Sequence, residues 1–147
     1  MTYLSFLALV AGAAISVQAT MNAQLGQLLK SALVATSIAF TRSLLFILLG
    51  LAAFNKQWPQ REAIQSVPHY LWFSGGLLSA FAVASFYWLI PKMGIGPMMS
   101  YALTGQLLLA IIAGHFGWFQ LPITPISPMK LVGVGALVLG IVLINHG

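Results

Sequence analysis

A chain of 147 residues with 60% hydrophobic and only 5% charged side chains cannot cover a water-facing surface, because soluble domains carry about 25% charged residues. The net charge of +5 comes from six Lys/Arg against one acid, Glu62; the cations are scattered singly, so there is no basic patch for nucleic acid, and their places at loop ends suit phospholipid headgroups. There is no cysteine, which excludes disulfides, thiolate catalysis and Cys-based metal sites.

A helix needs about 20 apolar residues to cross the hydrocarbon core. This length therefore predicts four to six spans in one compact bundle with no attached soluble domain. The first span is expected over Thr2–Leu29. A signal peptide competes for that stretch, since Val17-Gln18-Ala19 loosely resembles a cleavage site, but Met1-Thr2-Tyr3 lacks the basic n-region. The stretch is read as a helix, with Lys30 marking the turn. The second span is expected over Ala32–Phe54. The longest polar stretch follows, Asn55–His69, holding Lys56, Arg61 and Glu62 and leaving room for one short interfacial helical turn. Trp58, Tyr70 and Trp72 flank it like an aromatic belt.

The third span is expected over Tyr70–Ile90, closed by a tight turn at Pro91 and Lys92-Met93-Gly94-Ile95-Gly96-Pro97. The fourth covers Pro97–Phe116. A Pro-rich connection, Gly117–Ser127, leads to Ser127-Pro128, which reads as an N-cap followed by proline at the first helical position. The fifth span then covers Pro128–Asn145. The apolar runs lack the alternation of a membrane β-barrel, so strands are not expected. The fold class is all-α: an integral membrane bundle of five transmembrane helices forming a single transmembrane domain.

Most enzyme chemistry is missing its parts. A Ser-His-Asp triad needs an acid, and Glu62 lies in a loop. Paired carboxylates require two acids. His69, His115 and His146 all fall at span ends, where they read as interfacial polar residues; a zinc site would have to gather them from separate loops. No phosphate loop of the form GxxxxGK[ST] occurs, so the chain itself is not expected to use ATP. No enzyme activity, cofactor or metal is expected.

What remains is polarity inside the membrane. Gln18 and Asn22 lie four apart and share a helix face. Ser16, Thr20, Gln24 and Gln27 form a second stripe roughly opposite. A carboxamide facing lipid leaves its donors and acceptors unsatisfied at a cost of kcal/mol, so these faces are expected to meet other helices or a wet cavity. Interhelical hydrogen bonding and contact with a solute both answer that need. Arg42 stands near the middle of the second span, where a charge costs about 3 kcal/mol on insertion scales, and no acid in any span pairs with it. Either the span begins later and Arg42 snorkels to the interface, or the side chain meets carbonyls, water, amides or an anionic ligand.

Phe86-Tyr87-Trp88 late in the third span and Tyr101 early in the fourth either line a pocket for an organic solute, even a cation, or anchor the spans at the interface. Gln106, midway along the fourth span, needs a partner as the other carboxamides do. Gly133, Ala136 and Gly140 give the fifth span a small-residue face for close helix packing, within the chain or between two copies.

Several of these segments together resemble one family. Gln18-Ala19-Thr20-Met21-Asn22-Ala23-Gln24-Leu25-Gly26, Pro91-Lys92-Met93-Gly94, Gly105-Gln106-Leu107-Leu108, His115-Phe116-Gly117-Trp118 and the Gly133–Gly140 helix occur in the order and spacing of the YdcZ-type, five-helix members of the drug/metabolite transporter superfamily. These are half-size relatives of ten-helix transporters and distant relatives of small multidrug resistance proteins. The resemblance implies an exporter of small molecules in the bacterial inner membrane, working as a dimer. The chain departs from the pattern at Gly114, where the family often has an acid. It also carries Gln18 and Asn22 on the first-helix face where small multidrug resistance proteins use a carboxylate. Neither place offers a membrane carboxylate for proton coupling.

The expectation is therefore a transporter that exports a small solute by alternating access as a dimer. Gln18, Asn22, Arg42, Tyr87, Trp88, Tyr101 and Gln106 are its candidate substrate-binding residues. Gly133, Ala136 and Gly140 are its candidate dimer interface. The expected partners are a small-molecule solute, membrane lipids, and either an antiparallel second copy or a related half-size subunit; nucleic acid is not among them. An anion-conducting channel, which Arg42 would suit, and a membrane interaction subunit without transport of its own are the alternatives. Five spans place the termini on opposite sides, with Lys56, Arg61 and Lys130 on one side and Lys30 and Lys92 on the other. So small a bias allows dual topology.

Overall fold

The computed structural model describes residues 2–54, 58–118 and 122–146; the Lys56 of the charge comparison and the C-terminal Gly147 lie outside them. Long apolar runs must satisfy their own backbone groups in lipid, and the helix is the only single-segment way to do so. The chain accordingly forms α1 (Tyr3–Leu28), α2 (Ala32–Phe54), the short α3 (Arg61–Gln65), α4 (His69–Met93), α5 (Ile95–Phe116) and α6 (Pro128–His146), with no strand among the described residues. Five of these are long and apolar enough to cross a membrane. At about 1.5 Å per residue they run roughly 28–39 Å, against a hydrocarbon core of about 30 Å. Their large side chains point outward: Leu44, Phe46, Ile47 and Leu49 on α2 are all exposed. In water that surface would aggregate; in lipid it is solvated.

The chain divides into two compact units, Met1–Lys92 and Met93–Gly147. In the first, α1 and α2 form a tight hairpin. Lys30 adopts a left-handed φ of 53°, its N–H bonds the Gln27 carbonyl and the Ser31 N–H bonds the Gly26 carbonyl, which closes the last turn of α1. Ser31 then caps α2, its Oγ accepting from the Val34 N–H at 3.2 Å. The two helices approach through small side chains: Ala19, Ala23 and Gly26 on α1 and Ala35 and Thr36 on α2 are buried. A Cβ at Gly26 would already stand 3.4 Å from the Ala32 Cα.

Two boundaries differ from the sequence reading. α4 does not stop at Ile90 but continues through Pro91 to Met93. Proline removes one helical hydrogen bond, here the one to the Tyr87 carbonyl, and membrane helices tolerate that loss. The chain turns instead at Gly94, whose φ of 85° suits glycine. α5 starts at Ile95 rather than Pro97, because a proline in the first turn gives up an N–H that has no helical partner anyway. The short turn expected in the polar stretch is α3, with Glu62 in its first turn.

In the second unit, α5 ends at Gly117 in the left-handed conformation, φ 64°. The connection folds back on the end of α5: the Thr124 N–H donates to the Gly114 carbonyl at 2.8 Å, and the Ile126 N–H donates to His115 Nδ1 at 3.3 Å. Ser127 caps α6, its Oγ accepting from the Lys130 N–H. Lys130 Nζ in turn donates to the carbonyls of Thr124 and Pro125 at 3.2 and 2.9 Å.

Candidate functional site

The polar side chains of the first unit converge at one place. Gln18 and Asn22, one turn apart on α1, face Tyr87 of α4. Asn22 Nδ2 donates to Gln18 Oε1 at 2.9 Å and to the Tyr87 hydroxyl at 3.0 Å, and that hydroxyl donates to the same Gln18 Oε1 at 3.1 Å. Both amide protons of Asn22 and the phenolic proton are thereby used in a closed triangle. The Gln18 amino group and the Asn22 carbonyl carry no bond within it and remain available. Tyr87 is buried, 2% exposed. Its ring places a hydroxyl where apolar packing alone would leave two carboxamides unsatisfied.

A cavity of about 510 Å³ adjoins this triangle. Gln18, Asn22 and Tyr87 form one side of its wall, and Arg42 and Ser43 of α2 contribute to the rest. No carboxylate lines it, and the chain's single acid, Glu62, sits on α3. α2 begins at Ala32, so Arg42 lies about 15 Å along a helix of about 35 Å, close to its middle.

The other polar residues fall into different places. Ser16 and Thr20 of the second stripe bond back to carbonyls of their own helix, Gly12 and Ser16, at 3.3 and 2.8 Å, so those hydroxyls need neither a partner helix nor water. Trp88, next to Tyr87 but about 100° further round the helix, is absent from the cavity wall; Lys92 Nζ lies 3.5 Å above its ring. Tyr101 and Gln106 belong to the second unit, both exposed on α5. That unit holds one polar contact that sequence reasoning missed, Asn145 Nδ2 donating to Ser100 Oγ at 3.2 Å, with Ser100 buried. On α6, a Cβ at Gly133 or Gly140 would meet nothing within 4 Å, and Ala136 is exposed. Gly114 is different, since a Cβ there would lie 2.7 Å from Thr124 Oγ1. The returning loop thus occupies the space that an acidic side chain would need.

Five helices long and apolar enough to cross a bilayer, with large apolar side chains exposed along them, define an integral membrane protein. The family model described as "Putative inner membrane exporter, YdcZ" matches residues 3–143, and the chain belongs to this family of inner-membrane exporters. Neither the comparison with curated proteins nor that with solved structures yields a match. A small-molecule solute and a lipid environment follow from the family.

Proposed function

We infer that the protein exports a small organic solute bearing an anionic group, by alternating access, as a dimer. The observation that supports this reading is the Arg42-walled cavity beside the Gln18–Asn22–Tyr87 triangle. A guanidinium at mid-depth is costly unless something offsets its charge. No carboxylate lines the wall, and a bound anion is the partner that would offset the full charge. The free Gln18 amino group and Asn22 carbonyl then supply directional contacts to the rest of the solute. The cavity volume lies within the range usual for small-molecule sites, about 300–1,000 Å³.

The dimer rests on size. Many transporters place their site between two inverted repeats, and this chain is the size of one repeat. A second copy in the opposite orientation would supply the other, with the Gly133–Ala136–Gly140 face of α6 as the contact. Tyr101 and Gln106 are the residues of α5 proposed to extend the pathway.

Flux into proteoliposomes tests the reading, using anionic and neutral solutes first selected by thermal shift, since ligands that bind the folded state stabilise it. Saturable flux without unitary currents is expected, and Arg42→Leu is expected to lose anion flux while keeping expression. Unitary currents would make the protein a channel; unchanged flux in Arg42→Leu, Gln18→Leu and Asn22→Leu would remove the cavity from the mechanism. The absence of native cysteine allows a single cysteine at Gly147 to report orientation. Labelling from one side only rejects the antiparallel homodimer.

A further inference from the structure

A second hollow lies in the first unit, next to the Arg42 cavity and sharing Tyr87 with it. Lys30, at the turn after α1, and Lys92, near the end of α4, both line a hollow of about 240 Å³. Gln27, Ser31, Trp88 and Pro91 complete the part of the wall that matters here. Two cations in one wall with no acid beside them would repel each other unless a negative charge lies between them. The Lys92 ammonium sits 3.5 Å over the Trp88 ring, a contact that favours this position while leaving its protons to bond elsewhere.

The hollow does not end there. Ala32 and Trp88 also line an apolar groove of about 470 Å³ that continues along α4 past Ala84, Phe81 and Ala80 to Leu77. These residues recur every three or four positions and so lie on one face. From Trp88 to Leu77 the groove is about 16 Å long, which matches one leaflet of a hydrocarbon core about 30 Å thick. The small side chains of Ala80 and Ala84 make it concave. The one hydroxyl in it, Ser85, is already bonded to the Phe81 carbonyl at 2.7 Å, so the groove asks for no polar partner. A cationic hollow at the helix ends, joined to a leaflet-deep apolar groove, has the two-part chemistry of a single amphiphile.

We propose that this composite surface binds one anionic phospholipid, its phosphate between Lys30 and Lys92 and one acyl chain along α4. The charge selects the headgroup, and the groove length selects a chain over a soluble anion. Neither lysine lines the solute cavity, and the test needs no flux.

The purified protein is titrated with phosphatidylglycerol, phosphatidylcholine and inorganic phosphate. Native mass spectrometry counts bound lipid, and the unfolding temperature reports stabilisation. Phosphatidylglycerol is expected to bind at least tenfold tighter than phosphatidylcholine, and inorganic phosphate at millimolar concentration is expected to leave the unfolding temperature unchanged. Lys30→Gln and Lys92→Gln are each expected to weaken phosphatidylglycerol binding about fivefold, and together to bring it level with phosphatidylcholine. Lys92→Arg, which keeps both the charge and the stacking, retains the preference. Ala84→Phe fills the groove and is expected to weaken both lipids alike. Equal binding of the two lipids to the unaltered protein, a preference that survives the double lysine variant, or stabilisation by inorganic phosphate as large as that by phosphatidylglycerol would each overturn the proposal.

Discussion

The hairpin of α1 and α2 and the hairpin of α5 and α6 are built from the same small and polar residue types and use them differently. In the first, alanine and glycine are buried between the helices, and a Cβ on Gly26 already reaches contact with α2. In the second, none of the described residues of α6 is buried, and a Cβ on Gly133 or Gly140 reaches nothing. The connections differ too. Between α1 and α2 the turn is short and held by two backbone bonds around Lys30, whereas the α5–α6 loop is long and tied down by Thr124, Ile126 and Lys130. The first hairpin uses its small residues in the contact between α1 and α2, and Tyr87 of α4 ties down the carboxamides of Gln18 and Asn22. The second keeps a small-residue face uncovered. In lipid no hydrophobic force drives helices together, so an uncovered face of small residues gains its packing only when another backbone comes close.

The largest expected effect falls on the first hairpin's polar cluster. Arg42→Leu is expected to lower anion flux at least tenfold with little change in unfolding temperature, because the arginine has no carboxylate partner to orphan. Gln18→Leu removes the oxygen that accepts from both Asn22 and Tyr87. It is therefore expected to lose flux and also to destabilise, by about 1 kcal/mol for bonds of this kind in a membrane. Equal stability losses for the two variants would mean that Arg42 is as firmly tied into the packing as Gln18, and the proposed division between structural and solute-facing roles would fail.

The helices were legible from apolar run length alone, because a membrane span leaves a long and unambiguous signature. Arg42 was legible as a charge near the middle of a span rather than at its end. The Tyr87 hydroxyl was not: its partners lie 65 and 69 positions away, and nothing in the pattern around Tyr87 tells a polar tip from an interfacial anchor. Pro91 misled because proline is a strong stop signal in water-soluble helices and a weak one in lipid. The in-helix bonds of Ser16 and Thr20 were available from spacing alone, since a hydroxyl can always reach the carbonyl one turn back. They show that a polar stripe is informative only where its members are carboxamides or charges.

Next in size is the contrast between glycines. Gly26→Leu would push α1 from α2 and is expected to cost about 1–3 kcal/mol, as overpacking usually does. Gly140→Leu is expected to leave the isolated chain's stability within about 0.5 kcal/mol, as surface substitutions do, while lowering dimer yield in crosslinking. If Gly140→Leu destabilises the monomer as much as Gly26→Leu, the α6 face is not open and the comparison collapses. Gly114→Ala occupies an intermediate place. Its Cβ meets only the tip of Thr124, which can rotate, so a loss of about 1 kcal/mol is expected. That loss should largely vanish in a Thr124→Ala background, because neighbouring sites that clash do not add.

The smallest effect belongs to the turn of the first hairpin. Lys30 holds a left-handed φ of 53° without being glycine, at a cost of roughly 1–2 kcal/mol for a residue with a Cβ. Lys30→Gly removes that strain but loosens the unfolded chain by about 0.5–1 kcal/mol, so the net gain in stability is expected to be no more than about 1 kcal/mol. Lys30→Ala keeps the strain and removes only the charge, and it separates the two contributions. In a neutral detergent the expected order of unfolding temperature is glycine above lysine, with alanine level with lysine. In phosphatidylglycerol micelles lysine is expected to overtake both, because only lysine adds its charge to that of Lys92 beside the same hollow. If lysine leads in neutral detergent as well, the strain argument is wrong and the turn is favoured by something other than its charge. If alanine and glycine match lysine in the anionic micelle, Lys30 is a turn residue alone, and the first hairpin has no more claim on the headgroup region than the second.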